Sequence, residues 1–250
     1  MTLFGWIIVG TAIVAGSFLS GVFGMAGGMV VIGVLLIYFD VPTAMILFSI
    51  IQLAANGWRA MQWWSYVRWD IIWLYCVGGA VAFAGLRLIA FVPDKALVYL
   101  LLGLMPFAVE ILPASWRPNI EWRGVPFFTG IFTTIIQFLS GVGGTFLDIF
   151  FQKSMLDRKT TLATKAVAQS ASHVLRLVYF VSITGWGPGL ETLPVLGAVA
   201  LAIGGTMLAP YVIERMTDDG FRQWTRFVIF TICIIYLMRA GWLYWQGWQA

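Results

Sequence analysis

Gln52-Leu53-Ala54-Ala55-Asn56-Gly57-Trp58-Arg59 is answered 117 residues later by Gln169-Ser170-Ala171-Ser172-His173-Val174-Leu175-Arg176. The first, fifth and eighth positions are polar in both copies: glutamine, then asparagine or histidine, then arginine. Each helical residue turns the chain by about 100°, so Gln52, Asn56 and Arg59 share an arc of roughly 60°. Gln169, His173 and Arg176 do the same, with Lys165 one turn earlier on that face. Both octets lie within long apolar runs, where a cationic side chain is costly unless it is paired, hydrated or near a surface.

Working outward, each octet is preceded by a glycine-rich break: Ser20-Gly21-Val22-Phe23-Gly24-Met25-Ala26-Gly27-Gly28 and Ser140-Gly141-Val142-Gly143-Gly144-Thr145. Between break and octet, Asp40-Val41-Pro42-Thr43 aligns with Asp157-Arg158-Lys159-Thr160 at the same 117-residue offset. The chain therefore divides into two repeats, residues 1–115 and 116–250. A duplicated unit that carries polar and cationic residues inside apolar helices has the layout of a transporter.

Composition agrees. Hydrophobic residues make up 60% of the chain and charged residues 10%, with a mean hydropathy of +0.89. Soluble domains carry about 25% charged residues. An all-α polytopic membrane protein is expected, with segments near 3–21, 27–39, 43–66, 70–91, 95–112, 124–140, 144–154, 160–183, 191–215 and 221–246. Trp63, Trp64 and Trp69, and Trp242, Trp245 and Trp248, stand where an interfacial aromatic belt would lie. The cationic residues are dispersed, which argues for a topology signal and against nucleic acid. Cys76 and Cys233 read as small buried residues and not as a disulfide or metal pair.

The second and seventh segments are too short to cross ~30 Å of hydrocarbon. Each half then opens with a glycine-broken helix or a helical hairpin. With a hairpin, each half crosses an odd number of times and the two four-to-five-helix repeats are inverted. That arrangement puts Arg68, Arg117, Arg123, Lys153, Arg158, Lys159, Arg215, Arg222 and Arg226 on one side, against Arg87, Lys95 and Arg239 on the other. One bent span per half divides the same residues eight against four, so the positive-inside rule favours the hairpin. Both arrangements place the termini outside the cytoplasm.

The expected site is an anion site. Arg59 and Arg176 would neutralise the ligand, and Gln52, Asn56, Gln169 and His173 would donate hydrogen bonds. The short helices would direct unpaired N–H groups at it from Met25, Ala26, Gly27 and Gly28, and from Val142, Gly143, Gly144 and Thr145. Asp148 is read as pairing with Lys165 or Arg176, with cation coupling as the alternative. His173 is open between proton relay, donor to substrate and structural partner. With one histidine and scattered carboxylates, no nucleophilic triad, metal cluster or P-loop can be assembled. Neither an enzyme nor a bound cofactor is expected.

The glycine break, the Asp-x-Pro-Thr turn, the Gly141-Val142-Gly143-Gly144-Thr145 stretch and the duplication together resemble the TauE/SafE-type sulfite and organosulfonate transporters, from about Phe4 to Trp242. The resemblance implies secondary transport of sulfite, sulfoacetate or related C2 sulfonates across the bacterial inner membrane, with periplasmic termini. The first break departs from a run of three glycines, and Lys165 and His173 stand where the first half has Phe48 and Asn56. Expected partners are the small anion and membrane lipid, with a homodimer left open. A passive channel with an arginine selectivity site is the alternative, and a scaffolding subunit is a third.

Overall fold

A computed structural model describes residues 2–23, 26–187, 189–213 and 218–248. Gly24, Met25 and Arg215 lie outside these residues, as do the side chains of Ala26, Arg222, Arg226 and Trp248. The described chain is helical, with no strand. Its helices are α1 (Leu3–Phe23), α2 (Ala26–Tyr38), α3 (Val41–Gln62), α4 (Trp69–Ile89), α5 (Lys95–Ile111), α6 (Val125–Ser140), α7 (Gly144–Phe151), α8 (Arg158–Thr184), α9 (Thr192–Ile213) and α10 (Asp218–Trp248). Six of them, α1, α3, α4, α8, α9 and α10, are long and apolar enough to cross a membrane.

The aligned turns start equivalent helices. Asp40 stands at the N-cap of α3 with a proline just inside the helix, and Asp157 caps α8. Asp157 accepts from the amides of Lys159 and Thr160 at 2.9 and 3.1 Å, satisfying donors that the first turn leaves free. Asp40 makes no such side-chain bond. The third segment ends at Gln62, earlier than expected, because Trp64–Tyr66 tightens into a 3-10 turn. Trp64 and Trp69 meet there with ring centroids 4.7 Å apart, and both are exposed. Cys233 is buried as expected, whereas Cys76 is only half-buried on α4.

Helices α1 and α2 pack antiparallel, as the arms of a helical hairpin do. Trp6 near the start of α1 meets Phe39 just past α2, with centroids 6.2 Å apart. Further along, a Cβ on Gly27 would overlap the carbonyl of Gly16 and the amide of Ser20. Glycine here lets two backbones touch. From the other side, Tyr236 donates to the Met29 carbonyl at 2.5 Å and Tyr99 to that of Gly33 at 3.1 Å, pinning α2 to α10 and α5.

Packing between the halves is reciprocal: α1 lies on α9 as α6 lies on α4, and α3 and α5 pair with their own counterparts, α8 and α10. The directions are consistent. Gly10 faces Leu201 and Gly21 faces Ala209, so α1 and α9 run parallel. Gly78 faces Phe127, and the Phe83 and Phe138 centroids lie 6.4 Å apart, so α4 and α6 do too. The two self-pairs run antiparallel. Thr43 faces Gly187 while Ser49 bonds Arg176, and Tyr99 meets Tyr236 while Phe107 meets Phe230. The α3–α8 crossing holds the two octets at the centre of the molecule.

Candidate anion site

At that crossing lies a small cavity of about 20 Å³. Its walls come from both halves: Ser20 of α1, Gly28 of α2, Phe48, Gln52 and Asn56 of α3, the 141–145 turn into α7, and Gln169 and His173 of α8. That is room for about one water molecule, and a four-atom oxyanion would require the walls to separate.

The glycines fit against the glutamines in both halves. A Cβ on Gly28 would stand 3.1 Å from Gln52 Nε2, and one on Gly144 would overlap Gln169 Nε2. The α7 N-terminus has Gly143 as its cap with no side-chain acceptor. Its first-turn N–H groups therefore have no partner within the helix and carry the positive end of the helix dipole. Gln52 is buried, and its Oε1 has no partner among the described residues. The expected residues Gln52, Asn56, Gln169, His173, Gly28, Gly143, Gly144 and Thr145 are thus brought together. Gly27 instead faces α1.

The arginines sit one layer out. Arg176 is fully buried, with Nε donating to Ser49 Oγ at 2.8 Å, Nη1 to the carbonyl of Gly141 and Nη2 to His173 Nδ1 at 3.2 Å. Its guanidinium carbon lies 4.6 Å from the Phe48 ring centroid. Every one of these partners is neutral. Arg59 is half-buried and reaches the Ser20 carbonyl through a long 3.5 Å contact. Among the described residues no carboxylate lies within ion-pair distance of either arginine. Asp148 of α7 pairs with Lys165 of α8, which leaves that pair neutral as a unit.

Gln137 was not expected. It is buried on α6, with Nε2 2.9 Å from His173 Nδ1. A lone amide in an apolar helix was the signal that marks it. Its counterpart under the Ser20–Ser140 offset is Ser17, which shares its burial but not its chemistry.

The assembly is a neutral lining of amide, hydroxyl and backbone groups, backed by the Arg176 charge, which no nearby carboxylate cancels; Arg59, by contrast, lies within the field of Asp148. Such a lining can hold a small oxyanion by hydrogen bonds while the arginine supplies Coulomb attraction from behind.

No curated protein and no solved structure matches the chain. The family model for the sulfite exporter TauE/SafE matches residues 8–237, most of its length. The chain is a multi-pass membrane protein and belongs to the TauE/SafE sulfite exporter family.

Proposed function

We propose that this protein is a secondary transporter of sulfite or a C2 organosulfonate such as sulfoacetate, bound in the cavity at the α3–α8 crossing. The observation that carries this reading is Arg176, fully buried beside the cavity with only neutral partners. A buried charge without a counter-ion is costly, and a visiting anion would supply the missing charge. Arg59 adds positive field from the first half, through its position and not through direct contact, and more weakly than Arg176 because Asp148 also acts on it.

The two repeats, residues 1–115 and 116–250, are inverted with respect to the membrane. Support comes from the antiparallel self-pairs α3–α8 and α5–α10: a two-fold relation that reverses equivalent membrane-crossing helices exchanges the two sides. With each half opening on a hairpin and crossing three times more, both termini lie on the periplasmic side of a bacterial inner membrane. Rocking one half against the other would open the cavity alternately to each face.

A melting series on purified protein tests the substrate class. Sulfite and sulfoacetate at about one hundred times their dissociation constants should stabilise the fold by about 2.7 kcal/mol. Equal stabilisation by acetate, or none by any sulfur oxyanion, would reject the assignment.

A further inference from the structure

His173 is the only histidine in the chain and is 4% exposed. Its Nδ1 lies 2.9 Å from Gln137 Nε2 and 3.2 Å from Arg176 Nη2. Viewed from heavy atoms alone, an amide can be turned either way. A guanidinium cannot, because it donates and never accepts. The Nδ1 that faces Arg176 therefore presents a lone pair, and the Gln137 amide agrees only with its NH2 turned toward the ring. A neutral imidazole that accepts at Nδ1 carries its hydrogen on Nε2. Nε2 meets no protein acceptor among the described residues, and the ring forms part of the cavity wall.

We propose that Gln137 and Arg176 lock His173 in the Nε2–H tautomer, so that it serves as a fixed hydrogen-bond donor to the bound anion, with Gln137 as a positioning residue. This rests on the cavity being the oxyanion site. A proton-relay role is disfavoured by the same geometry, since a second proton at Nδ1 would point at two donors. Asn56, at the matched position of the first half, offers an amide N–H to the same cavity, beside the amides of Gln52 and Gln169. A lining built this way selects oxyanions that present bare acceptor oxygens, and it penalises groups that place an N–H or O–H against His173.

Because the histidine is unique, ¹⁵N-histidine labelling of the full-length protein gives one residue's pair of ring signals. The ligand-free protein should show one-bond proton coupling at Nε2 and an unprotonated Nδ1. A proton on Nδ1, or on both nitrogens, would overturn the lock. Titrating sulfite, with stabilisation against heat followed in parallel, should shift the Nε2–H resonance. Stabilisation with an unmoved Nε2–H signal would overturn the donor role while leaving the anion site standing. Absence of any sulfite stabilisation would overturn the anion site and the donor role with it, the tautomer being decided by the ligand-free spectrum. In Gln137→Glu the new carboxylate should draw the proton to Nδ1 and weaken sulfite binding tenfold or more. An Nδ1 that stays unprotonated in that variant would remove Gln137 from the positioning role, and should the variant not fold, the wild-type spectra decide.

Discussion

Arg176 donates to the carbonyl of Gly141, the residue with φ +82° that ends α6 and begins the cavity turn. The cation is therefore part of the scaffold that shapes the turn as well as a source of field. Replacing Arg176 by Leu would leave the Gly141 carbonyl without a partner, at about 1–3 kcal/mol for a buried group left unsatisfied, while Ser49 keeps the Met45 carbonyl and His173 keeps Gln137. We predict a melting temperature lowered by several degrees and no saturable sulfite flux. Arg176→Lys keeps the charge but cannot span three acceptors, so it should recover part of the stability and little of the flux. Thermal unfolding in detergent alongside proteoliposome flux measures both.

Gly144 and Gly28 occupy matched places but differ in clearance. An added methyl overlaps Gln169 Nε2 in one case and stands 3.1 Å from Gln52 Nε2 in the other. Gly144→Ala should cut flux tenfold or more, and Gly28→Ala clearly less. The helices themselves should tolerate alanine, which favours helix over glycine, so circular dichroism should be unchanged in both. Equal flux in the two variants would contradict the assigned geometry.

The Asp148–Lys165 pair is partly buried, with side chains 17% and 20% exposed. Breaking one side of a buried pair costs about 3–5 kcal/mol, whereas removing both sides is often far milder. Asp148→Asn and Lys165→Met should each destabilise, and the double variant should regain most of the loss in a thermal double-mutant cycle. If Asp148 were instead a coupling site, the double variant would be stable and yet lose uphill transport.

Asp157, at the α8 cap, is exposed, and its hydrogen bonds from the Thr160 hydroxyl and then the Thr160 and Lys159 amides hold its carboxyl below the ordinary range. Its folded pKa lies below the unfolded one, so the stability it contributes is present above the unfolded value. That contribution is lost as pH falls through the folded value. The melting-temperature gap between wild type and Asp157→Ala should therefore be largest near neutral pH and close in acid. Asp40→Ala should show a smaller gap throughout, since Asp40 makes no side-chain cap bond.

Much of the architecture was legible because its sequence signals come in pairs. Matched asparates begin α3 and α8, matched glycine breaks begin α2 and α7, and matched polar faces line one cavity. The arginines were less legible. Helical spacing puts Arg59 and Arg176 in the same arc as their glutamines, but their long side chains end on Ser20 and on Ser49, Gly141 and His173. What lies within reach of such a side chain depends on neighbouring helices that periodicity does not encode. Gln137 escaped because its counterpart is a serine, so the duplication that marked the other residues was silent there. The antiparallel packing of α1 on α2 also depended on tertiary contact, between Gly16 and Gly27 and between Trp6 and Phe39.

The most direct measurement of the central claim is radiolabelled sulfite uptake into proteoliposomes by wild type and by Gly144→Leu, whose side chain would fill the cavity beside Gln169. Saturable uptake in the wild type, competed by sulfoacetate and absent in the variant, is the predicted result. Uptake that rises linearly with concentration, or that persists unchanged in Gly144→Leu, would place the pathway elsewhere and contradict the account.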